Sequence, residues 1–260
     1  MSSFYSTWGC YFFILLVSLA IGSFLNVVVY RLPKMIKAAL LRDKQISLWR
    51  PSSFCPLCHN RIRWSDNIPL ISFLILKGHC RNCHQRINLS YFLVELITAV
   101  LSSIIFWHFG MNWQMAAALI FTWWLIPLAI IDWQQLILPD ELTLSLLWLG
   151  LLINLYAVFT SLPNAVLGAA AGYVVFWVIN KIYYWIRNKE GIGQGDWKLF
   201  AAFGAWFGWN NLLYILLIGA LLGTIYSVLL VLLKRANKDT PIPFGCFLIV
   251  AAWIKIFLVL

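Results

Sequence analysis

Eight stretches of this chain are apolar over lengths suited to crossing a bilayer, and that pattern restricts the fold more than any single motif does. A transmembrane helix needs about 20 mainly apolar residues to cover a hydrocarbon layer of about 30 Å. The expected crossings are residues 8–30, 91–109, 113–131, 142–162, 165–186, 197–209, 212–233 and 243–260. Trp8, Trp107, Trp113, Trp133, Trp185 and Trp209 fall at or near their ends, where an amphipathic indole prefers to sit. With 62% hydrophobic and only 11% charged residues, the chain could not clothe a soluble domain of this length in polar surface. The expected fold class is therefore an all-α polytopic membrane protein of about eight helices. The first apolar stretch is too long for a signal-peptide core, follows no Lys or Arg and precedes no small-residue cleavage site, so it reads as an anchor.

Basic residues sort the loops. Arg31, Lys34, Lys37, Arg42, Lys44, Arg50, Arg61, Arg63, Lys77, Arg81 and Arg86 all lie between the first and second expected spans, which the positive-inside rule makes cytoplasmic. Counting crossings forward places Arg187, Lys189, Lys198, Lys234, Arg235 and Lys238 on the same side and the N-terminus in the periplasm. The short sixth span, read as a re-entrant loop, would put the last three outside, so charge parity favours a crossing. Lys181 and Lys255 lie close enough to span ends to snorkel. The net charge of +10 thus has a topological origin, matched by anionic membrane lipids and not by nucleic acid. Three regions follow: a first transmembrane helix at 1–30, a small cytoplasmic domain at 31–90, and a transmembrane core at 91–260.

The cytoplasmic segment carries Cys55, Cys58, Cys80 and Cys83, two CxxC knuckles separated by 21 residues. Two thiolates per knuckle at tetrahedral spacing suit a closed structural zinc site, and a cytosolic setting disfavours the alternative of two disulfides. His59, His79 and His84 flank a shell that the four cysteines already complete. Cys10 and Cys246 read as small core residues.

Acidic residues are few, so their positions carry weight. Asp132 closes the third expected span and Asp196 opens the sixth, both at the cytoplasmic edge, where a lone aspartate is usually a solvated cap. Two at matching depth can share a proton, one activating water while the other donates to a peptide carbonyl. Gly191, Gly193 and Gly195, just before Asp196, let an extended substrate approach the backbone. Their spacing does not fit a dinucleotide-binding GxGxxG, and no strand precedes them.

Six segments, taken in order, make the chain resemble the type IV prepilin peptidase family over essentially its whole length. They are GSFLNVVVYRLP at 22–33, the two knuckles with IPLISF at 68–73 between them, YFLVEL at 91–96, Asp132 with LPD at 138–140, GIGQGDWKL at 191–199, and IPFG at 242–245. The family's GxGD motif maps onto Gly193, Gly195 and Asp196, and its other catalytic aspartate onto Asp132. Asp140 takes a supporting place. Cys246 stands where family members carry proline, a departure that bears on local geometry near the last span. The resemblance implies a bifunctional inner-membrane enzyme. It cuts a short basic leader from a type IV prepilin or pseudopilin precursor, between a glycine and usually a phenylalanine. It then N-methylates the new terminus with S-adenosylmethionine. No motif marks a donor pocket, and Glu95, beside the second span, reads equally as a substrate or donor contact and as a helix-packing hydrogen bond. Rival classes are weaker. A proton-coupled transporter would show internal repeats and midplane ionisable groups, and a zinc-bearing scaffold gives no reason for paired aspartates.

Overall fold

The computed structural model of the protein describes residues 2–41, 47–50, 52–189, 191–235, 237 and 240–258. Arg42, Lys44 and Lys238, used in the charge sorting, lie outside the described residues, as do Asp43, Glu190 and Asp239. The described residues form helices α1 (Ser2–Leu40), α2 (Ile71–Ile75), α3 (Leu89–Phe109), α4 (Trp113–Gln135), α5 (Asp140–Ile153), α6 (Leu162–Arg187), α7 (Gln194–Phe207), α8 (Leu212–Leu232) and α9 (Phe244–Phe257). Short 3-10 turns join some of them, and among the described residues no strand is longer than an isolated bridge.

Each expected crossing falls on one apolar helix. Five of these, in α1, α3, α4, α6 and α8, are long and apolar enough to cross a membrane. The other three, α5, α7 and α9, have 14 residues each. At about 1.5 Å per residue such a helix reaches about 21 Å, short of the about 30 Å hydrocarbon layer. The fourth expected span, 142–162, stops early for a visible reason. Asn154 Nδ2 donates to the carbonyls of Ala205 and Trp206 while its Oδ1 accepts from Phe159 and Thr160, which turns the chain away from α5. α1 runs past 30 to Leu40 with Pro33 inside it, and buried Arg31 donates to the carbonyls of Ser47 and Leu48.

The chain divides into two compact units, Met1–Met115 and Ala116–Leu260. In the first, α1 packs along α3. Their closest approach is at Gly22, where a Cβ would stand 3.0 Å from Glu95 Cα, so only glycine admits the crossing. One turn on, Asn26 Nδ2 donates to Tyr91 O at 3.0 Å.

In the second unit α7 is the hub, packed by α5, α6 and α9 and buried at every position from Leu199 to Phe207. A helix that is apolar all round must be covered on all sides. Gly168 of α6 faces Gly204 of α7 with no room for a Cβ on either, which brings the two backbones into contact. Trp206 fills the gap left by Gly150 of α5 and donates its Nε1 to Leu146 O at 2.8 Å. Phe121 of α4 lies against Trp206, with ring centroids 4.7 Å apart. α8 is the opposite case. Leu213, Leu217, Leu221, Ile225 and Val228 are exposed along it, an apolar face suited to lipid tails.

Candidate functional site

Asp132 and Asp196 converge on Gly245. Asp132 lies near the C-terminal end of α4, Asp196 in the first turn of α7, and Gly245 in the first turn of α9. A Cβ on Gly245 would stand 2.9 Å from Asp132 Oδ2 and 3.2 Å from Asp196 Oδ1. The two oxygens are therefore no further apart than the sum of those distances, 6.1 Å. The first turns of α7 and α9 meet at the pair, and the first turn of α5 is joined to that of α7 through Asp140 and Lys198, so helix N-terminal dipoles favour negative charge there.

The two carboxylates are held unequally. Asp132 is buried, and its Oδ2 accepts the backbone N–H of Cys246 at 2.9 Å, so it caps α9. Proline at 246 would have no N–H to give, so the departure from the family pattern supplies this chain with a donor. The Cys246 thiol donates to Ala129 O at 3.0 Å, one turn before Asp132. Asp196 Oδ1, by contrast, is buried without a hydrogen-bond partner among the described residues. Buried polar atoms are almost always paired, so this oxygen is the free acceptor of the pair.

The loop before Asp196 is shaped by contacts that the sequence alone does not advertise. Asn180, buried on α6, accepts the backbone N–H groups of Gly191 and Ile192 at 2.9 and 3.1 Å. Gly195 rests on Leu138, where a Cβ would meet Leu138 Cβ at 2.7 Å. Asp140 receives Lys198 Nζ on both carboxylate oxygens at 2.7 and 2.6 Å, an ion pair joining the first turns of α5 and α7. Asp140 and Lys198 thus tie the first turn of α5 to that of α7.

Cys55, Cys58, Cys80 and Cys83 form a second cluster, in the first unit. Their sulfurs all lie within 4.8 Å of one another, and Cys55 and Cys83 are 3.9 Å apart. Sulfurs at about 2.3 Å from a tetrahedral zinc stand about 3.8 Å from each other, so the donor set and its spacing fit that ion. The two knuckles repeat one design. Cys55 N–H donates to Asn60 O and His59 N–H to Cys55 O, and Cys80 N–H donates to Gln85 O and His84 N–H to Cys80 O. His59 and His84 occupy the left-handed turn position of each knuckle, with φ of 57° and 54°, and neither belongs to the sulfur cluster. The N–H groups of Cys83 and Asn82 draw the Cys80 thiol down while the neighbouring sulfurs push the Cys83 thiol up, so the cluster shares its negative charge unevenly. Arg81, inside the second knuckle, makes a two-pronged ion pair with Asp66, with Nη2 at 2.7 Å from Oδ1.

Apolar helices carrying a pair of aspartates at their ends, with a separate four-cysteine module, define an integral membrane protein with a carboxylate dyad. Residues 16–109 match the profile of the bacterial peptidase A24 N-terminal domain, and residues 119–228 match that of the type IV leader peptidase family. The chain is 44% identical over 255 residues to the prepilin leader peptidase/N-methyltransferase of Pseudomonas aeruginosa, covering 93% of this chain and 88% of that protein. It is 44% identical over 264 residues to the protein of the same name from Aeromonas salmonicida, covering 96% and 91%. The corresponding protein of Legionella pneumophila is 41% identical over 263 residues, covering 96% and 92%. No solved structure matches the chain significantly. The chain belongs to the type IV leader peptidase family.

Proposed function

We propose that Asp132 and Asp196 are the catalytic pair of a prepilin leader peptidase/N-methyltransferase. The observation that carries this reading is the convergence of the two carboxylates on the bare backbone of Gly245. Two negative charges about 6 Å apart at an effective dielectric of about 20 repel by about 3 kcal/mol, which favours a pair that shares one proton. The ionised member takes a proton from water, and the protonated member donates to the scissile carbonyl. The unpaired oxygen of Asp196 is placed to accept from that water, while Asp132 stays oriented by Cys246 N–H. Family membership leaves the transporter reading without support.

The enzyme is a multi-pass inner-membrane protein, and its substrates are prepilin or pseudopilin precursors. With residues 31–90 cytoplasmic and the N-terminus periplasmic, the leader of such a precursor faces the cytosol while its apolar helix lies among lipids. The scissile bond then meets the dyad at the interface. Zinc in the Cys55, Cys58, Cys80 and Cys83 shell is structural, since four thiolates leave no open position. S-adenosylmethionine supplies the methyl group for the new terminal amine.

The test is cleavage of a synthetic precursor peptide by purified enzyme, read by mass. Asp132→Asn and Asp196→Asn are each expected to abolish shortening while zinc content and membrane insertion persist, and Asp140→Asn to retain measurable activity. A folded Asp196→Asn enzyme cutting near the parental rate would remove the mechanism. Pilin methylation, measured on precleaved peptide, is expected to survive in both Asn variants.

A further inference from the structure

The first unit holds a cavity of about 920 Å³ between α1, the cysteine module and α3, with Cys55 and Cys80 of the sulfur cluster in its wall and neither aspartate of the dyad. Its size lies within the about 300–1,000 Å³ typical of small-molecule sites. Polar groups of Asn26, Tyr30, Tyr91 and Glu95 line it, together with the ring of Phe54.

Glu95 is the telling member. It sits two turns into an apolar helix, an expensive place for a carboxylate. Its Oε2 accepts the backbone N–H of Leu70 at 2.8 Å, and the Ser23 hydroxyl also bonds to it. Leu70 is the centre of a γ-turn: φ is 58°, ψ is −48°, and Ile71 N–H donates back to Pro69 O at 2.6 Å. This turn is rare and strained for a residue with a side chain, and conformations of that kind collect at ligand sites. The strain aims one N–H at Glu95 and fixes the carboxylate in the cavity wall. A merely structural contact between module and helix could be made by an unstrained turn to a neutral side chain.

S-adenosylmethionine offers an adenine ring, a carboxylate and two cationic centres, an ammonium and a sulfonium. The cavity offers faces of Phe54 and Tyr91 for a ring, arginines including Arg63 and Arg86 for a carboxylate, and Glu95 for a cation. We propose that this cavity is the S-adenosylmethionine site, with Glu95 against the cationic part of the donor. The assignment rests on S-adenosylmethionine being the methyl source.

Ultraviolet irradiation of the purified full-length protein with methyl-tritiated S-adenosylmethionine, followed by peptide mapping, tests the location. Label is expected on peptides carrying Tyr30, Phe54 or Tyr91, and label confined to residues 116–260 would overturn the assignment. Val27→Trp, which fills the cavity from its α1 wall, is expected to weaken binding in equilibrium dialysis at least tenfold with zinc content intact. Glu95→Gln keeps an acceptor for Leu70 N–H but loses the charge, and a similar loss is expected. Parental affinity in either zinc-loaded variant would overturn the assignment. Methylation of precleaved peptide by the parental preparation separates the two ideas. Its absence refutes S-adenosylmethionine as donor, whereas methylation with label mapped elsewhere refutes only the cavity.

Discussion

Gly245→Ala perturbs the dyad without altering either carboxylate. Gly245 has no left-handed φ, so its backbone accepts alanine, and within a helix alanine is favoured over glycine by up to about 1 kcal/mol. That gain is set against the cost of overpacking a buried site, typically about 1–3 kcal/mol. The added methyl would stand 2.9 Å from Asp132 Oδ2, 2.9 Å from Leu138 Cδ1 and 3.2 Å from Asp196 Oδ1. Relaxed carbon contacts lie at about 3.5–4.0 Å, so the surroundings must open by about 0.5–1 Å. No single movement relieves all three contacts, because Asp132 is tied to the same turn of α9 by Cys246 N–H. A displacement near 1 Å of reacting groups costs on the order of 100-fold in rate, equivalent to about 2.7 kcal/mol of barrier. The assay is the initial rate of precursor shortening in detergent, with the thermal midpoint and zinc content recorded on the same preparation. The expected result is a cleavage rate down about 100-fold in a protein that keeps its zinc and still unfolds cooperatively. A Gly245→Ala enzyme working at more than half the parental rate would refute the placement of the carboxylates around this glycine.

Asn180→Ala should leave two N–H groups of the loop before Asp196 without partners, at about 1–3 kcal/mol each; cleavage is expected to fall at least tenfold in a protein that still inserts, and a parental rate would show that the loop needs no anchor. Cys55→Ser should lower the metal content of the purified protein from about one zinc per chain to near none and unfold the module, as read by elemental analysis and proteolysis; full metal content would contradict a four-sulfur shell. Arg81, through its hydrogen bonds, holds the Asp66 carboxyl below its ordinary range. That stabilisation is complete above the unfolded carboxylate value of about 4 and is lost as pH falls through the lower folded value. Asp66→Asn should therefore weaken the module by the same amount from pH 8 to 5 and lose its effect in stronger acid, a profile that pH-dependent proteolysis of both proteins would check.

The helices were legible because each follows from a local apolar run. The cysteine cluster was legible because knuckle spacing fixes which atoms can meet. Asp132 and Asp196 stood out because carboxylates are scarce at the ends of apolar segments. What could not be read was the set of groups that aim them. Gly245 lies in the IPFG segment that carries part of the resemblance, but its place between the two carboxylates appears only when α4, α7 and α9 meet. Asn180 left a trace, a polar residue inside an apolar span, but nothing local said that it reaches eleven positions ahead to Gly191. The cavity beside Glu95 depends on a backbone turn at Leu70 whose sign of φ no residue type there announces.

The three 14-residue helices that begin at the dyad have a consequence for the membrane itself. Each is about 9 Å too short for the layer it sits in, taking about 1.5 Å per residue against about 30 Å. Mismatch of that kind is accommodated by local thinning of the bilayer, at a fraction of a kcal/mol per Å. A dimple over α5, α7 and α9 would let headgroups and water descend to the carboxylates. Hydrolysis at the rim of an oily phase then needs no dedicated water channel, and a substrate helix diffusing in the plane of the bilayer would find its polar end already dipping toward the site. Membrane thickness thus becomes a rate variable: reconstitution in lipids of longer acyl chain should slow cleavage by an enzyme whose dyad is unchanged.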